Sequence, residues 1–201
     1  MKTQPHTHCR RPRAFTLMEL LVVILIISIL AGFLVPQIIE MMKQKDILKT
    51  SELIVKLKTG ISSFQTEYNR LPADSGPPVD TEVLTDGSTP LIDVLMGIPP
   101  HDPSANWNPK GTIFAEFPLA KNERNGLVTT GRPYKLHDVW GNPFHILLDL
   151  DGDHQVPNPD ASNSDPKIAT PGGKPASATL PTDNAIFSAG KDGVPHTGDD
   201  I

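Results

Sequence analysis

The chain has 201 residues, 18 Lys+Arg against 23 Asp+Glu, a formal charge of −5 and one cysteine, Cys9. That length allows one or two domains with a modest core, and the acid excess leaves no basic face for nucleic acid. A single cysteine excludes an intramolecular disulfide and a cysteine-based metal site.

Residues 1–13 carry Lys2, Arg10, Arg11 and Arg13 and no acid. An apolar run, FTLMELLVVILIISILAGFLVPQII, then covers residues 15–39 with Glu19 as its one charge. As a helix it spans about 37 Å at ~1.5 Å per residue, enough to cross a hydrocarbon layer of about 30 Å. It is longer than the roughly 7–15 apolar residues of a secretory signal, and Val35-Pro36-Gln37 offers no small-x-small cleavage site. The spacing predicts a helix that stays attached.

Ile47, Thr50, Ile54, Leu57, Ile61, Phe64 and Tyr68 follow at heptad spacing, with Lys43, Lys45, Lys49, Lys56 and Lys58 mostly off that stripe. No proline falls between Pro36 and Pro72. The pattern therefore predicts one helix over residues 15–70, apolar all round in its first half and amphipathic in its second. The amphipathic half is expected to pack on its own globular domain.

From Leu71 onward the chain holds 18 of the 21 prolines and 13 of the 15 glycines, a composition that favours short strands joined by turns. A short helix is expected over 89–97, ended by Gly97, and a strand or turn of helix over 111–117. Strands are expected over 142–149 and 184–188, and an exposed loop over 157–182. The fold class is α+β, with the long N-terminal helix packed on a small antiparallel sheet and a loop-rich C-terminal end.

An unpaired carboxylate in hydrocarbon costs a few kcal/mol, so Glu19 is a functional candidate. Its surroundings, Arg13-Ala14-Phe15-Thr16-Leu17-Met18-Glu19-Leu20, resemble the class III leader of type IV pilins and type II secretion pseudopilins. In that family a prepilin peptidase cuts a short basic leader before a Phe and methylates the new amine. The resemblance implies cleavage between Ala14 and Phe15, with Ala14 where Gly is usual. It also implies methylation of Phe15 and assembly through Glu19, which pairs with the Phe15 amine of a neighbouring subunit. Pro36 falls where the family places a helix-kinking proline.

Residues 149–201 hold nine aspartates, no glutamate, three lysines and no arginine, and aspartate alone points to a compact oxygen cage for a hard cation. The end, Ser188-Ala189-Gly190-Lys191-Asp192-Gly193-Val194-Pro195-His196-Thr197-Gly198-Asp199-Asp200-Ile201, resembles the calcium-binding loop of the major pseudopilin. That resemblance implies calcium held by Asp192, Asp199, Asp200 and the backbone carbonyl of Ser188, with His196 where Gly is common. A second run partly matches an EF-hand loop, with Asp149, Asp151 and Asp153 at positions 1, 3 and 5 and Asp160 at 12. A solvated turn is the other reading of that run.

Histidines lack metal-ligand spacing, and no nucleophile elbow, phosphate loop or dinucleotide fingerprint is present. The resemblance thus implies a non-enzymatic subunit most like the major pseudopilin of type II secretion. Its parts are a cleaved leader (1–14), a transmembrane helix (15–39), the amphipathic half of that helix (40–71) and a pilin-like periplasmic domain (72–201). Implied partners are other copies in a helical filament, the peptidase/N-methyltransferase, other pseudopilins, the inner-membrane assembly platform and membrane lipid. Alternatives are a type IV pilin or minor pseudopilin, and, from another class, a membrane-anchored hydrolase or binding protein. The absence of a disulfide at the C-terminal end favours the calcium-stapled pseudopilin.

Overall fold

The computed structural model describes residues 15–73, 79–99, 107–161, 177–195 and 201. Helix α1 (Leu17–Tyr68) is followed by β1 (Thr81–Leu84), α2 (Leu91–Leu95), β2 (Gly126–Val128), β3 (Lys135–His137), β4 (Phe144–Leu148), β5 (Val156–Pro157), β6 (Thr179–Leu180) and β7 (Asn184–Ser188). The chain divides into two compact units, Met1–Gln44 and Lys45–Ile201.

In the first unit the segment Leu17–Val35 has a mean hydropathy of 2.9 and none of it is buried. The helical backbone continues through residue 36. This is the one helix among the described residues long and apolar enough to cross a membrane.

The second unit contains the core. Leu53, Leu57, Ile61 and Phe64 of α1 are buried against Val83, Leu91, Leu95, Leu136, Phe144, Ile146 and Leu148. The stripe read from the sequence holds for Thr50, Leu57, Ile61 and Phe64, all buried. It misses at Ile47, which is exposed, because the inward face passes instead through Leu53. Gly60 lets the chain at Ala115 lie close: a Cβ there would stand 2.9 Å from the Ala115 Cβ. Asn69 ends the helix with φ 53° and donates its N–H to the Gln65 carbonyl at 2.8 Å, a left-handed cap that asparagine tolerates.

The main sheet is antiparallel in the order β1-β4-β7, with Val83 opposite Ile146 and Ile146 opposite Ile186. Two two-stranded ribbons, β2-β3 and β5-β6, complete the strands. The expected strands over 142–149 and 184–188 are β4 and β7, and the short helix is α2, with Gly97 at φ 68°. The segment 111–117 is neither strand nor helix. Its Phe114 and Ala115 amides both donate to the Leu95 carbonyl, so it is pinned to the end of α2 and cannot extend a ladder. The loop expected over 157–182 opens and closes on the β5-β6 ribbon.

Candidate functional site

At the N-terminal end, Phe15 is exposed and Ala14 lies outside the described residues. The Thr16 N–H and hydroxyl both donate to Glu19 Oε2, at 2.9 and 3.0 Å, and the Glu19 N–H donates to Thr16 Oγ1 at 3.2 Å. This is a capping box: each side chain satisfies an amide that the first helical turn leaves without a partner. Glu19 therefore has a local partner within the chain. The signal was present in the sequence as Thr16-Leu17-Met18-Glu19, the pattern T-x-x-E ahead of an apolar run.

The C-terminal loop leaves β7 beside a buried carboxylate. Asp138 Oδ1 accepts the amides of Trp140, Gly141 and Asn142 at 2.7–2.8 Å, and Oδ2 accepts the Ser188 hydroxyl at 2.6 Å. Asn142 Nδ2 donates to the Gly190 carbonyl at 2.7 Å, and the Gly190 amide donates to Ser188 Oγ. The turn entering β4 and the loop leaving β7 are thus one hydrogen-bonded unit.

Ile201 closes the loop by pairing both ways with Ser188: the Ser188 amide donates to Ile201 O at 2.9 Å and the Ile201 amide to Ser188 O at 3.2 Å. The Ser188 carbonyl keeps its second lone pair for another partner. Asp192 lies in the loop, its Oδ1 accepting the Val194 amide. Asp199 and Asp200 lie outside the described residues. The donors that are described, a carbonyl and an exposed carboxylate, are the hard oxygen type that suits calcium.

The 149–160 run is sorted differently from the EF-hand pattern. Asp149 is buried and accepts the Gly152 and His154 amides. Its carboxylate groups with Asp80 and Asp151, and also with His154 and Asp183, each set having ligand atoms within 4.8 Å of one another. Asp153 and Asp160 belong to neither set; Asp153 instead accepts the Gln155 amide. Asp80 and Asp183 were not legible as site residues, because each is brought in from a distant part of the chain.

Within these groups His154 Nδ1 and Asp183 Oδ1 lie 2.8 Å apart. The hydrogen bond and charge of Asp183 raise the His154 pKa above 6.5, and the bond from His154 lowers Asp183 below 3.8. Burial, followed by the charge of Asp151, raises the carboxyl of Asp80. The acidic groups could hold a metal ion.

A fold of this kind, with an exposed apolar helix opening on a capped Glu19, defines a membrane-anchored subunit with a globular domain. Residues 9–35 match the prokaryotic N-terminal methylation motif. The chain is similar to type II secretion system core protein G of Klebsiella pneumoniae, 23% identical over 192 residues covering 96% of this chain and 94% of the relative. Core protein G of Aeromonas hydrophila is 25% identical over 69% of this chain and 74% of its own. That of Pectobacterium carotovorum subsp. carotovorum is 35% identical over 63 residues, covering 31% of this chain and 40% of its own. No solved structure matches the chain. The resemblance to the type II secretion pseudopilins read from the sequence is thereby supported along nearly its whole length.

Proposed function

We propose that the chain is a structural subunit of a type II secretion pseudopilus. The observation that carries this reading is the methylation motif over residues 9–35, set on a helix whose apolar surface from Leu17–Val35 is wholly unburied. A segment of 19 residues, apolar except at Glu19 and Ser28 and exposed on every side, needs either lipid or copies of the same helix around it.

On this reading a prepilin peptidase cuts between Ala14 and Phe15 and methylates the new amine. The helix holds the subunit in the inner membrane with the domain in the periplasm, and copies then stack through their apolar helices into a filament. Glu19 exchanges its capping bonds with Thr16 for the Phe15 ammonium of a neighbour, which neutralises two charges that are costly in hydrocarbon. Pro36 gives the packed helix a point at which to bend. The role is structural rather than catalytic.

Calcium belongs to the C-terminal loop, held by the Ser188 carbonyl, Asp192, Asp199 and Asp200. There it would supply the cross-link between chain end and β7.

The test is the mass of the N-terminal peptide of the membrane-extracted protein. A start at N-methyl-Phe15 is expected, and an intact Met1 would overturn the reading.

A further inference from the structure

Two oppositely charged flanks lie on the globular unit. Lys45, Lys49 and Lys56 recur four and seven residues apart on α1, so they share one flank of the helix. Lys56 is paired with Glu52 at 2.9 Å, whereas exposed Lys45 and half-buried Lys49 make no ion pair among the described residues. On the other flank, Gln65 Nε2 donates to Asp183 Oδ2 at 3.2 Å. That bond ties α1 to the cluster of Asp80, Asp149, Asp151 and Asp183, with Asp153 near enough to act on the charge of Asp80. From Lys49 to Gln65 the helix turns through roughly 160° and rises about 24 Å.

The acidic flank has a charge to be met from outside. Among the described residues His154 is the one basic side chain in an ion-pair contact with these five carboxylates. Among the described residues Asp80 Oδ1 is buried without a hydrogen-bond partner. Asp151 and Asp153 are exposed. Five carboxylates also exceed what a single divalent cation neutralises, so the flank stays negative whether or not a cation sits among them.

We propose that the lysine flank of α1 on one copy docks the loop bearing Asp151 and Asp153 on a second copy. This deepens the filament reading and rests on it. The two patches are different surfaces on opposite sides of α1, so the contact is heterologous. It repeats from copy to copy without closing, with each copy displaced along the helix axis, which is the geometry of an open filament. The lysines select the neighbour and its register, while the apolar N-terminal segments supply the adhesion. Exposed pairs of this kind are screened by salt, so the register contact weakens as ionic strength rises.

The experiment uses the full-length chain in its native membrane, with Cys9→Ser so that no other thiol is present. Two differently tagged copies carry Lys49→Cys and Asp151→Cys, and mild oxidation is expected to yield a linked pair containing one of each. Two copies that both carry Lys49→Cys are expected to give none. In parallel, Lys45→Glu with Lys49→Glu is expected to cut filament yield at least tenfold, as is Asp151→Lys with Asp153→Lys. The chain carrying all four changes is expected to recover most of the yield. If wild-type filaments form but mixed cysteine copies stay unlinked, or the four changes together rescue nothing, the docking is wrong and the filament reading survives. If wild-type chains form no filament at all, both fall. Lys45, Asp151 and Asp153 are exposed and Lys49 is half-buried, and an unchanged melting temperature of each variant shows that the fold is kept.

Discussion

At the scale of single residues, Asp138 is the most consequential polar group of the globular unit. It is fully buried, accepts three consecutive amides and the Ser188 hydroxyl, and so joins the Trp140–Asn142 turn to the start of the C-terminal loop. Asp138→Ala removes the side-chain acceptor of three amides and a hydroxyl together, the Gly141 amide keeping a 3.3 Å bond to the Asp138 carbonyl, and buried groups without partners cost ~1–3 kcal/mol each before relaxation. We expect a loss of about 3 kcal/mol for Asp138→Ala and about 1 kcal/mol for Ser188→Ala. Urea unfolding of a fragment beginning at Lys45 measures both, and equal losses would show that the carboxylate is not the hub. The His154–Asp183 pair carries a pH signature. Asp183, lowered by its bond from His154, contributes above the ordinary 3.8 and fades as pH falls through its lowered value. His154, raised by the same bond, contributes fully below 6.5 and fades as pH rises through its raised value. Their joint contribution is therefore greatest between those limits. An NMR titration is expected to place His154 above a free histidine, and Asp183→Asn to bring it back; a His154 midpoint at or below 6.5 would remove the pair.

At the scale of elements, α1 shows what a sequence pattern can and cannot carry. Its length and two-part character were legible because a 3.6-residue period and a long proline-free stretch are local properties. Which flank turns inward was legible only in part: Leu53 is buried and Ile47 is not, since the choice depends on the strands opposite. β1, β2 and β3, at four, three and three residues, were not legible at all. β2 and β3 pair with each other and are too short to show a period of their own, whereas β1 is held by a partner far along the chain, β4, beside which Thr85 Oγ1 donates to the Leu136 carbonyl and accepts the Phe144 amide. The same reason hid Asp80 and Asp183 beside an Asp149 loop that the sequence did expose. Gly60 offers a direct test of helix packing. Glycine inside a helix ordinarily costs about 1 kcal/mol relative to alanine, yet here a Cβ meets Ala115 at 2.9 Å. Gly60→Ala should therefore show no gain in stability, and Gly60→Leu a loss of about 2–3 kcal/mol from overpacking. A rise in melting temperature for either variant would mean that the 111–117 segment moves freely. Leu57→Ala, at a site with no exposure, should cost about 2–5 kcal/mol by leaving a cavity.

At the scale of the whole molecule, the charge balance is segregated. The first 13 residues are purely basic, while residues 149–201 carry nine aspartates against three lysines. On the proposed reading the basic leader is removed, so the mature subunit is more acidic than the full chain and its acidity is concentrated where the chain ends. On that reading, three like charges at Asp192, Asp199 and Asp200 would repel one another and loosen the paired hydrogen bonds between Ile201 and Ser188, which return the chain end to β7. Calcium, on the proposed reading, would reverse the sign of that effect: a cation that binds the folded loop and finds no preformed site in the unfolded chain adds to folding stability. At a free concentration one hundred times its Kd the gain is about 2.7 kcal/mol, which for a domain of this size corresponds to a rise of roughly 5–10 °C. We therefore expect calorimetry of the fragment from Lys45 onward to show that rise in millimolar calcium and its loss on chelation. Asp192→Asn should reduce the response, whereas Asp151→Asn should leave most of it. An identical response in both variants would move the cation away from the C-terminal loop, and no response in the unmodified fragment would leave the hydrogen bonds of Asp138, Asn142 and Ser188 to hold that loop.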